Sequence, residues 1–161
     1  MGDVRKKKKL YSRPKKPFDK PRIESENKIV QNYGLKNKKE IWKTDAVIST
    51  IRRRAKELIN GTDEERNEFF ERLNKIGLNV KETSDVLALT KENLLERRLQ
   101  TLVFKKGFAN TAKQARQFIV HKLIAVDGAI VNTPSTIIPV ERENGIKIVK
   151  EIKIKSEGAK K

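Results

Sequence analysis

The sequence predicts a mainly α-helical protein with an extended basic N-terminal arm and a small α+β domain, a helix–turn–helix followed by a β-hairpin. Three observations support this fold class. Apolar residues recur at helical spacing over much of residues 23–120. Asp127-Gly128 joins two short apolar runs, which is typical of a β-hairpin. Residues 1–22 hold three of the five prolines and ten basic side chains but little that could form a core.

The net charge of +17 is large for a chain of 161 residues, a length that suits one compact domain or two small ones. Such an excess repels itself unless a polyanion offsets it. Nucleic acid is therefore the first candidate partner, and an anionic membrane surface is the second. No apolar run approaches the roughly 20 residues of a membrane span, and no apolar stretch follows the basic N-terminus as in a secretory signal. We expect an intracellular protein, soluble or held in a larger assembly.

The absence of cysteine excludes disulfides, thiolate zinc sites, iron–sulfur clusters and cysteine nucleophiles. The single histidine excludes a histidine-based metal cluster. The sequence therefore predicts no metal, no cofactor and no catalytic residue.

Charge and pattern divide the chain into four predicted regions. Residues 61–93 carry eight acidic and five basic side chains, whereas the flanking segments are net basic. This division indicates a surface shared between a polyanion and another protein, with chance clustering as the alternative. We predict an arm over residues 1–22, a helical domain over 23–93, the small α+β domain over 94–139 and a strand and tail region over 140–161. One arrangement open to this last region is that it packs back on the helical domain.

The arm combines a basic run at residues 5–9 with Tyr11 and Phe18, two aromatic residues placed among cations. This composition is typical of an extended segment that orders on a partner, and aromatic rings among cations suit stacking on bases or sugars. A flexible tail or a nuclear localisation signal is the alternative interpretation.

The helical domain is predicted to contain helices over residues 23–36, 40–60, 62–76 and 83–90. Glycines 34, 61 and 77 are the stop signals of the first three. Thr44 or Asp45 is the predicted N-cap of the second helix, and Thr62 with Glu65 matches a capping box in the third.

Two charged helix faces in this domain are open to more than one interpretation. The second helix carries Arg52, Arg53 and Arg54, which can reach several phosphates at once or form an ordinary solvated face. The carboxylates of the third helix indicate a charge-capped, solvated helix rather than acid–base chemistry.

Residues 90–139 carry the most informative pattern. A helix is predicted from Thr90 to Lys106, with Gly107 after its end. Its buried stripe is Leu95, Leu99, Leu102 and Val103, and its other faces carry Arg97, Arg98, Gln100, Thr101, Lys105 and Lys106. Thr111 and Gln114 form a second capping box. In the helix that follows, Ala112, Ala115, Phe118 and Ile119 face inward, and Lys113, Arg116 and Gln117 face outward.

The chain then continues through His121-Lys122 into the predicted hairpin over residues 123–131. After Pro139, alternating apolar and basic residues with Asn144-Gly145 indicate strands or a final hairpin. The lysines there either contact nucleic acid or are solvated.

The stretch LLERRLQTLVFKKGFANTAKQARQFIVHKLIAVDGAIVNTPS closely resembles the RNA-binding domain named after small-subunit ribosomal protein S-four. The matching positions are Gly107, Phe108, Thr111, Ala115, Arg116, Gln117, Ile119, Val120, Lys122, Val126, Asp127 and Gly128. The segment YGLKNKKEIW and the later IRRRA resemble the archaeal and eukaryotic branch of that ribosomal family.

The resemblance implies a structural constituent of the small ribosomal subunit that is not an enzyme. It implies binding to small-subunit rRNA, nucleation of the 5′ domain during assembly, and a position next to ribosomal protein S-five and near the site where mRNA enters. It also implies a cytoplasmic, ribosomal location. Many family members bind zinc through N-terminal cysteines, which this chain does not have.

By matching positions, the resemblance implies RNA contact by Arg97, Arg98, Lys105, Lys106, Thr111, Lys113, Gln114, Arg116, Gln117, His121 and Lys122. For Thr111 and Gln114 the alternative is a capping role alone, and for His121 it is a lone surface histidine. Arg116 is the strongest single candidate.

The main rival hypothesis is an RNA-binding assembly or rescue factor that visits the ribosome without being a stoichiometric component. An RNA-modifying enzyme is less favoured, because the rest of the chain holds no catalytic constellation and no nucleotide-binding loop. A DNA-binding protein is disfavoured because nothing resembles a major-groove reader.

Overall fold

The structure, a computed structural model, describes residues 10–149 and forms two compact units. The helical unit comprises the chain up to Asn74 and Leu78–Leu95. The α+β unit comprises Lys75–Gly77 and the chain from Glu96 onward. The predicted fold class, mainly helical with a small α+β domain, is confirmed.

Five helices lie in the first part of the chain: α1 (Lys20–Tyr33), α2 (Lys38–Glu57), α3 (Asp63–Ile76), α4 (Thr83–Ala88) and α5 (Lys91–Glu96), with a 3₁₀ turn at Leu58–Asn60 after α2. Helix α1 begins three residues before the predicted start, because Asp19 takes the extended N-cap conformation and proline occupies the first turn. Gly34 ends it with a φ of 59°, in the left-handed region that glycine tolerates.

The predicted N-cap of α2 is wrong. Asn37 is the N-cap, so Thr44 and Asp45 lie inside the helix. The Thr44 hydroxyl donates to the Glu40 carbonyl at 2.9 Å, a bond that a threonine inside a helix commonly forms. The cap of α3 is as predicted, because Thr62 Oγ1 accepts a hydrogen bond from the Glu65 amide at 3.4 Å.

Two apolar clusters form the core of the helical unit. One contains Ile29, Leu35, Ile41 and Leu95, and the other contains Ala55, Leu73, Val80, Val86 and Leu89. Helical spacing of the apolar residues at 41, 51 and 55 predicts that Val47 also faces the core, but Val47 is 43% exposed and Ile48 is buried instead.

The helix predicted from Thr90 to Lys106 is wrong, because the chain breaks between α5 and α6 (Leu99–Lys105). Arg98 is extended (φ −73°, ψ 143°) and forms an antiparallel bridge with Ile137. The Leu99 amide donates to the Thr136 carbonyl at 2.8 Å. Pairing with a later segment therefore replaces the helical hydrogen bonds at this point.

The α+β unit packs α6 and α7 (Ala112–Val120) with a three-stranded antiparallel sheet of order β2-β1-β3. Strands β1 (Ile124–Val126) and β2 (Ala129–Ile130) form the predicted hairpin. Asp127 and Gly128 both have positive φ, 51° and 82°, as its two-residue turn requires.

Strand β3 (Ile146–Ile148) pairs with β1, so that Ile146 lies opposite Val126 and Ile148 opposite Ile124. A strand was expected in this region, and its partner is the hairpin of the α+β unit, not a second strand of its own. A 3₁₀ turn at Val140–Gly145 precedes it. The further strand positions and the tail expected beyond residue 149, like the basic run at residues 5–9, lie outside the described residues.

Candidate RNA-binding surface

Helix α7 is fixed at its start by the predicted capping residues. Thr111 Oγ1 accepts from the Gln114 amide at 3.1 Å. Gln114 Oε1 accepts from the amide of Asn110 at 2.8 Å, one residue before the N-cap. Both side chains are therefore engaged in setting the direction of α7. The inward face is also as predicted, because Ala112, Ala115, Phe118 and Ile119 are all buried.

An exposed polar ridge runs along α7. Lys113, Gln117 and His121 follow one another at intervals of four residues and so lie on one side of the helix, with Lys122 directly after them. We call these four residues the α7 ridge. All four are exposed, and neither lysine forms an ion pair within residues 10–149. The ridge therefore offers two cations and two hydrogen-bonding side chains to an external partner.

Arg116 lies beside the ridge, half-buried, and is held by Gln100, a residue predicted on an outward face. Its Nη1 donates to Gln100 Oε1 at 3.4 Å. Gln100 is 1% exposed, and its Nε2 donates to the Ala112 carbonyl at 2.9 Å. Gln100 thus links α6 to the first turn of α7 and to Arg116. Because α6 begins only at Leu99, its faces differ from those of the continuous helix that was predicted, and Gln100 and Thr101 are buried.

The two lysines at the end of α6 have different bonding partners, a carboxylate for Lys105 and a backbone carbonyl for Lys106. Lys105 is exposed, and its Nζ lies 3.0 Å from Glu96 Oε2. An exposed pair of this kind contributes little stability, so the Lys105 charge can be shared with a phosphate. Lys106 donates to the carbonyl oxygen of Glu143, which ties it to the turn before β3.

Arg98 is buried and Arg97 is half-buried, which corrects the expectation that they take outward faces of a helix. Arg97 Nη2 donates to the Ile138 carbonyl at 3.2 Å and to Glu143 Oε2 at 3.1 Å. Gly77, at a φ of +93°, lies so close that a methyl group there would be 2.8 Å from Arg97 Cζ. Arg98 is 6% exposed. The side chain of Arg97 therefore fixes the segment from Ile138 to Glu143 within the α+β unit, and the backbone of Arg98 bridges to Ile137 in the same unit.

The arginine row of α2 divides in a similar way. Arg52 Nη2 donates to the Leu89 carbonyl at 2.5 Å and so connects α2 to the end of α4. Arg53 and Arg54 are exposed, with Glu57 3.9 Å from Arg53 Nε and 3.4 Å from Arg54 Nη1. Arg53 and Arg54 are therefore surface residues of the helical unit, whereas the Arg52 side chain bonds the backbone of that unit.

The carboxylates of α3 are solvated or paired on their own helix, as Glu68 with Arg72 at 3.1 Å shows. Within residues 10–149, no group of three or more histidine, aspartate or glutamate side chains is placed to hold a metal ion. No helix in that part of the chain is long and apolar enough to cross a membrane.

Comparison with known proteins gives matches both for this region and for most of the chain. The S4 domain family matches residues 97–143, which contain α6, α7 and the hairpin. Small ribosomal subunit protein uS4 of Methanococcus aeolicus is 48% identical over 91% of this chain and 86% of its own length. The uS4 proteins of Methanococcus maripaludis and Saccharolobus islandicus are 45% and 44% identical over 98% and 89% of this chain, covering 92% and 83% of their own lengths. A likeness of this extent shows that the chain belongs to the uS4 family of small ribosomal subunit proteins.

Proposed function

We propose that this protein is a structural constituent of the small ribosomal subunit and that it binds rRNA through the α7 ridge of its S4 domain. The observation that carries the proposal is the exposed position of Lys113 and Lys122, without ion pairs in the described chain, next to Gln117 and His121. Membership of the uS4 family supports the same assignment.

The binding mode follows from the chemistry of the ridge. Lysines neutralise phosphates, while glutamine and histidine offer hydrogen bonds to sugar or base. Folded RNA is recognised mainly by its shape and by phosphate and 2′-hydroxyl contacts. Capping by Thr111 and anchoring by Gln100 hold the ridge in place before RNA arrives, so that little ordering is needed on binding.

The finer assignments rest on the family. We propose that the protein nucleates assembly of the 5′ domain of the rRNA, contacts ribosomal protein S-five and lies near the site where mRNA enters. We propose that it performs no catalysis and binds no cofactor or small-molecule substrate. Its place is then on cytoplasmic ribosomes.

The first test is quantitative mass spectrometry of small subunits before and after a high-salt wash. A built-in constituent is present at one copy per subunit and resists the wash. Substoichiometric protein that washes off would replace the proposal with a factor that visits the ribosome.

A second test measures the salt dependence of binding between the protein and small-subunit rRNA. Lys113→Gln should weaken binding and reduce the slope of log affinity against log salt by about one, because one phosphate contact is lost. Lys81→Gln is the matched control, because Lys81 is also an exposed lysine but lies within residues 61–93, where acidic side chains outnumber basic ones. Equal slopes for the two variants would contradict the assignment of Lys113.

A further inference from the structure

The helical unit has an open groove that lies outside the S4 domain match. The segment beginning at Leu10 runs beside α2, and an open space of about 1150 Å³ lies between them. We call this space the arm groove. Its principal lining residues are Tyr11, Arg13, Lys43, Val47, Ile51 and Arg53.

The segment that forms one wall of the groove is anchored by specific contacts. The Tyr11 ring lies against Trp42 with a centroid distance of 6.1 Å. Arg22 Nη2 donates to the carbonyls of Lys16 and Pro17 at 3.0 and 2.9 Å. Arg22 and Trp42 both donate to Glu26 Oε1, at 2.8 and 3.0 Å. The ring contact places Tyr11 of the wall against α2, the bonds of Arg22 hold the chain just after the wall on α1, and Glu26 joins α1 to α2, so the groove is shaped by contacts within the protein.

The chemistry of the groove is apolar at its floor and cationic at its rim. Val47 is 43% exposed there, and Ile51 is half-buried beside it. Arg13, Lys43 and Arg53 supply three positive charges, and the lining residues include no carboxylate. The only acidic partner of these cations within residues 10–149 is Glu57, 3.9 Å from Arg53.

We propose that the arm groove binds an unpaired nucleotide of an RNA chain. The base lies on the apolar floor formed by Val47 and Ile51 and contacts the Tyr11 ring. The phosphates on either side of the nucleotide meet Arg13, Lys43 and Arg53. A nucleotide fits this arrangement because its base has two apolar faces and its backbone carries a negative charge on each side. The inference rests on the proposed RNA-binding function and adds a site in the helical unit.

The test uses the full-length protein and two RNA probes, a fully paired duplex and the same duplex with an unpaired bulge. Val47→Asp places a negative charge on the groove floor. We expect about a tenfold loss of affinity for the bulged RNA, from lost base contacts, and little change for the paired duplex. Ile59→Asp is the matched control, because Ile59 is 53% exposed on the same unit but does not line the groove.

A second pair of variants tests the cationic rim. Arg53→Gln should weaken binding of the bulged RNA, whereas Arg72→Gln should not, although both side chains are 74% exposed and both lie near a glutamate. Fluorescence of Trp42, the single tryptophan, reports occupancy because its ring lies against Tyr11. The bulged RNA should change this signal in the wild-type protein and not in Val47→Asp.

The outcomes separate the two proposals. Equal affinity of Val47→Asp and Ile59→Asp for the bulged RNA would overturn the groove assignment while leaving RNA binding by the α7 ridge intact. Poly-glutamate of matched charge is the competitor. If it displaces the bulged RNA and reverses the change in Trp42 fluorescence, the groove is a site for acidic peptides, and the proposal of a nucleotide site is overturned. Failure of the wild-type protein to bind either RNA would instead contradict the proposed function.

Discussion

At the scale of single residues, burial divides the basic side chains of the α+β unit into two groups. Arg98 is buried, and the half-buried Arg97 donates to the Ile138 carbonyl and the Glu143 carboxylate. Lys113 and Lys122 lie on the surface. The sequence treats all four as cations at matching family positions, and only the packed structure separates them.

This division predicts different consequences of substitution. Arg97→Met should lower the free energy of unfolding by about 2 kcal/mol, because it removes hydrogen bonds to a buried carbonyl and a carboxylate. Lys113→Gln should change that free energy by less than about 0.5 kcal/mol but should weaken RNA binding. Urea denaturation and RNA titration of both variants check this. Normal stability with lost RNA affinity in Arg97→Met would mean that Arg97 contacts RNA directly.

Gln100 is predicted to act on RNA through Arg116. Gln100→Leu removes an acceptor that lies 3.4 Å from the Arg116 guanidinium and should lower RNA affinity about fivefold. In a background of Arg116→Gln the same change should have little further effect on affinity, because the two residues act as one unit. A double-mutant cycle of RNA affinity measures this coupling, with urea denaturation to follow stability separately. Additive losses of affinity would show that Gln100 acts through stability alone.

Glu26 makes the stability of the helical unit depend on pH. Burial raises the pKa of this carboxyl, but hydrogen bonds from Trp42 and Arg22 and the charges of Arg22 and Lys38 outweigh burial, so the pKa lies below its usual value of 4.5. The ionised form therefore stabilises the fold above about pH 4.5, and this contribution is lost as the pH falls through the lowered pKa.

We expect Glu26→Gln to lower the free energy of unfolding by about 2 kcal/mol at neutral pH and by progressively less as the pH falls below 4.5. Urea unfolding followed by Trp42 fluorescence at several pH values measures the difference. Glu24→Gln, at an exposed position of the same helix, is the control. A difference between wild type and Glu26→Gln that does not change with pH would contradict this account.

At the scale of elements, turns and caps were the most predictable features. Asp127-Gly128 predicts a two-residue turn, and the structure has both residues at positive φ. The Thr111 cap and the Gly34 stop are likewise where local sequence signals place them. Such signals depend on a few neighbouring residues, so a reading of the sequence can recover them.

The hairpin turn carries its own prediction. Apart from the adjoining residues of the turn, no atom of residues 10–149 lies within 4 Å of a methyl group placed on Gly128, so Gly128→Ala meets no steric obstacle there. Its cost arises from the backbone at φ +82°, which alanine disfavours, and should be about 1 kcal/mol in the free energy of unfolding. Urea denaturation checks the value. An unchanged stability would indicate that the turn relaxes to another conformation.

The break between α5 and α6 is the element that sequence reasoning missed. Leu95, Leu99, Leu102 and Val103 have the spacing of one helical stripe, and all four are buried. Leu95, however, belongs to a cluster of the helical unit, and the other three belong to the core of the α+β unit. The spacing therefore predicts the buried residues correctly but wrongly predicts one continuous helix. The helix is interrupted because Arg98 is extended and pairs with Ile137, a residue distant in the chain.

At the scale of the whole molecule, net charge governs both stability and binding. The charge of +17 repels itself in the free protein, and added salt screens that repulsion. The same salt weakens the attraction to RNA phosphates.

We therefore predict opposite effects of salt on two measurements. Between low and moderate sodium chloride, the melting temperature of the free protein should rise by a few degrees, about what 1 kcal/mol produces in a chain of this size, while RNA affinity should fall steeply. Thermal unfolding and RNA titration in the same buffers check both trends. A melting temperature that falls with salt would mean that attractive ion pairs outweigh the net repulsion.

The sequence by itself determined the helical class, the position of the hairpin, the caps of α3 and α7 and the resemblance to the uS4 family. Each of these depends on residue types at short, fixed spacing. Tertiary structure alone decided that Arg98 and Gln100 are buried, that Arg97 pairs with Glu143, that β3 joins the hairpin and that Tyr11 forms a groove with α2. The physical reason is that these features depend on partners distant in the chain, because a buried side chain or an extended backbone takes its hydrogen bonds from whichever segment the fold brings beside it.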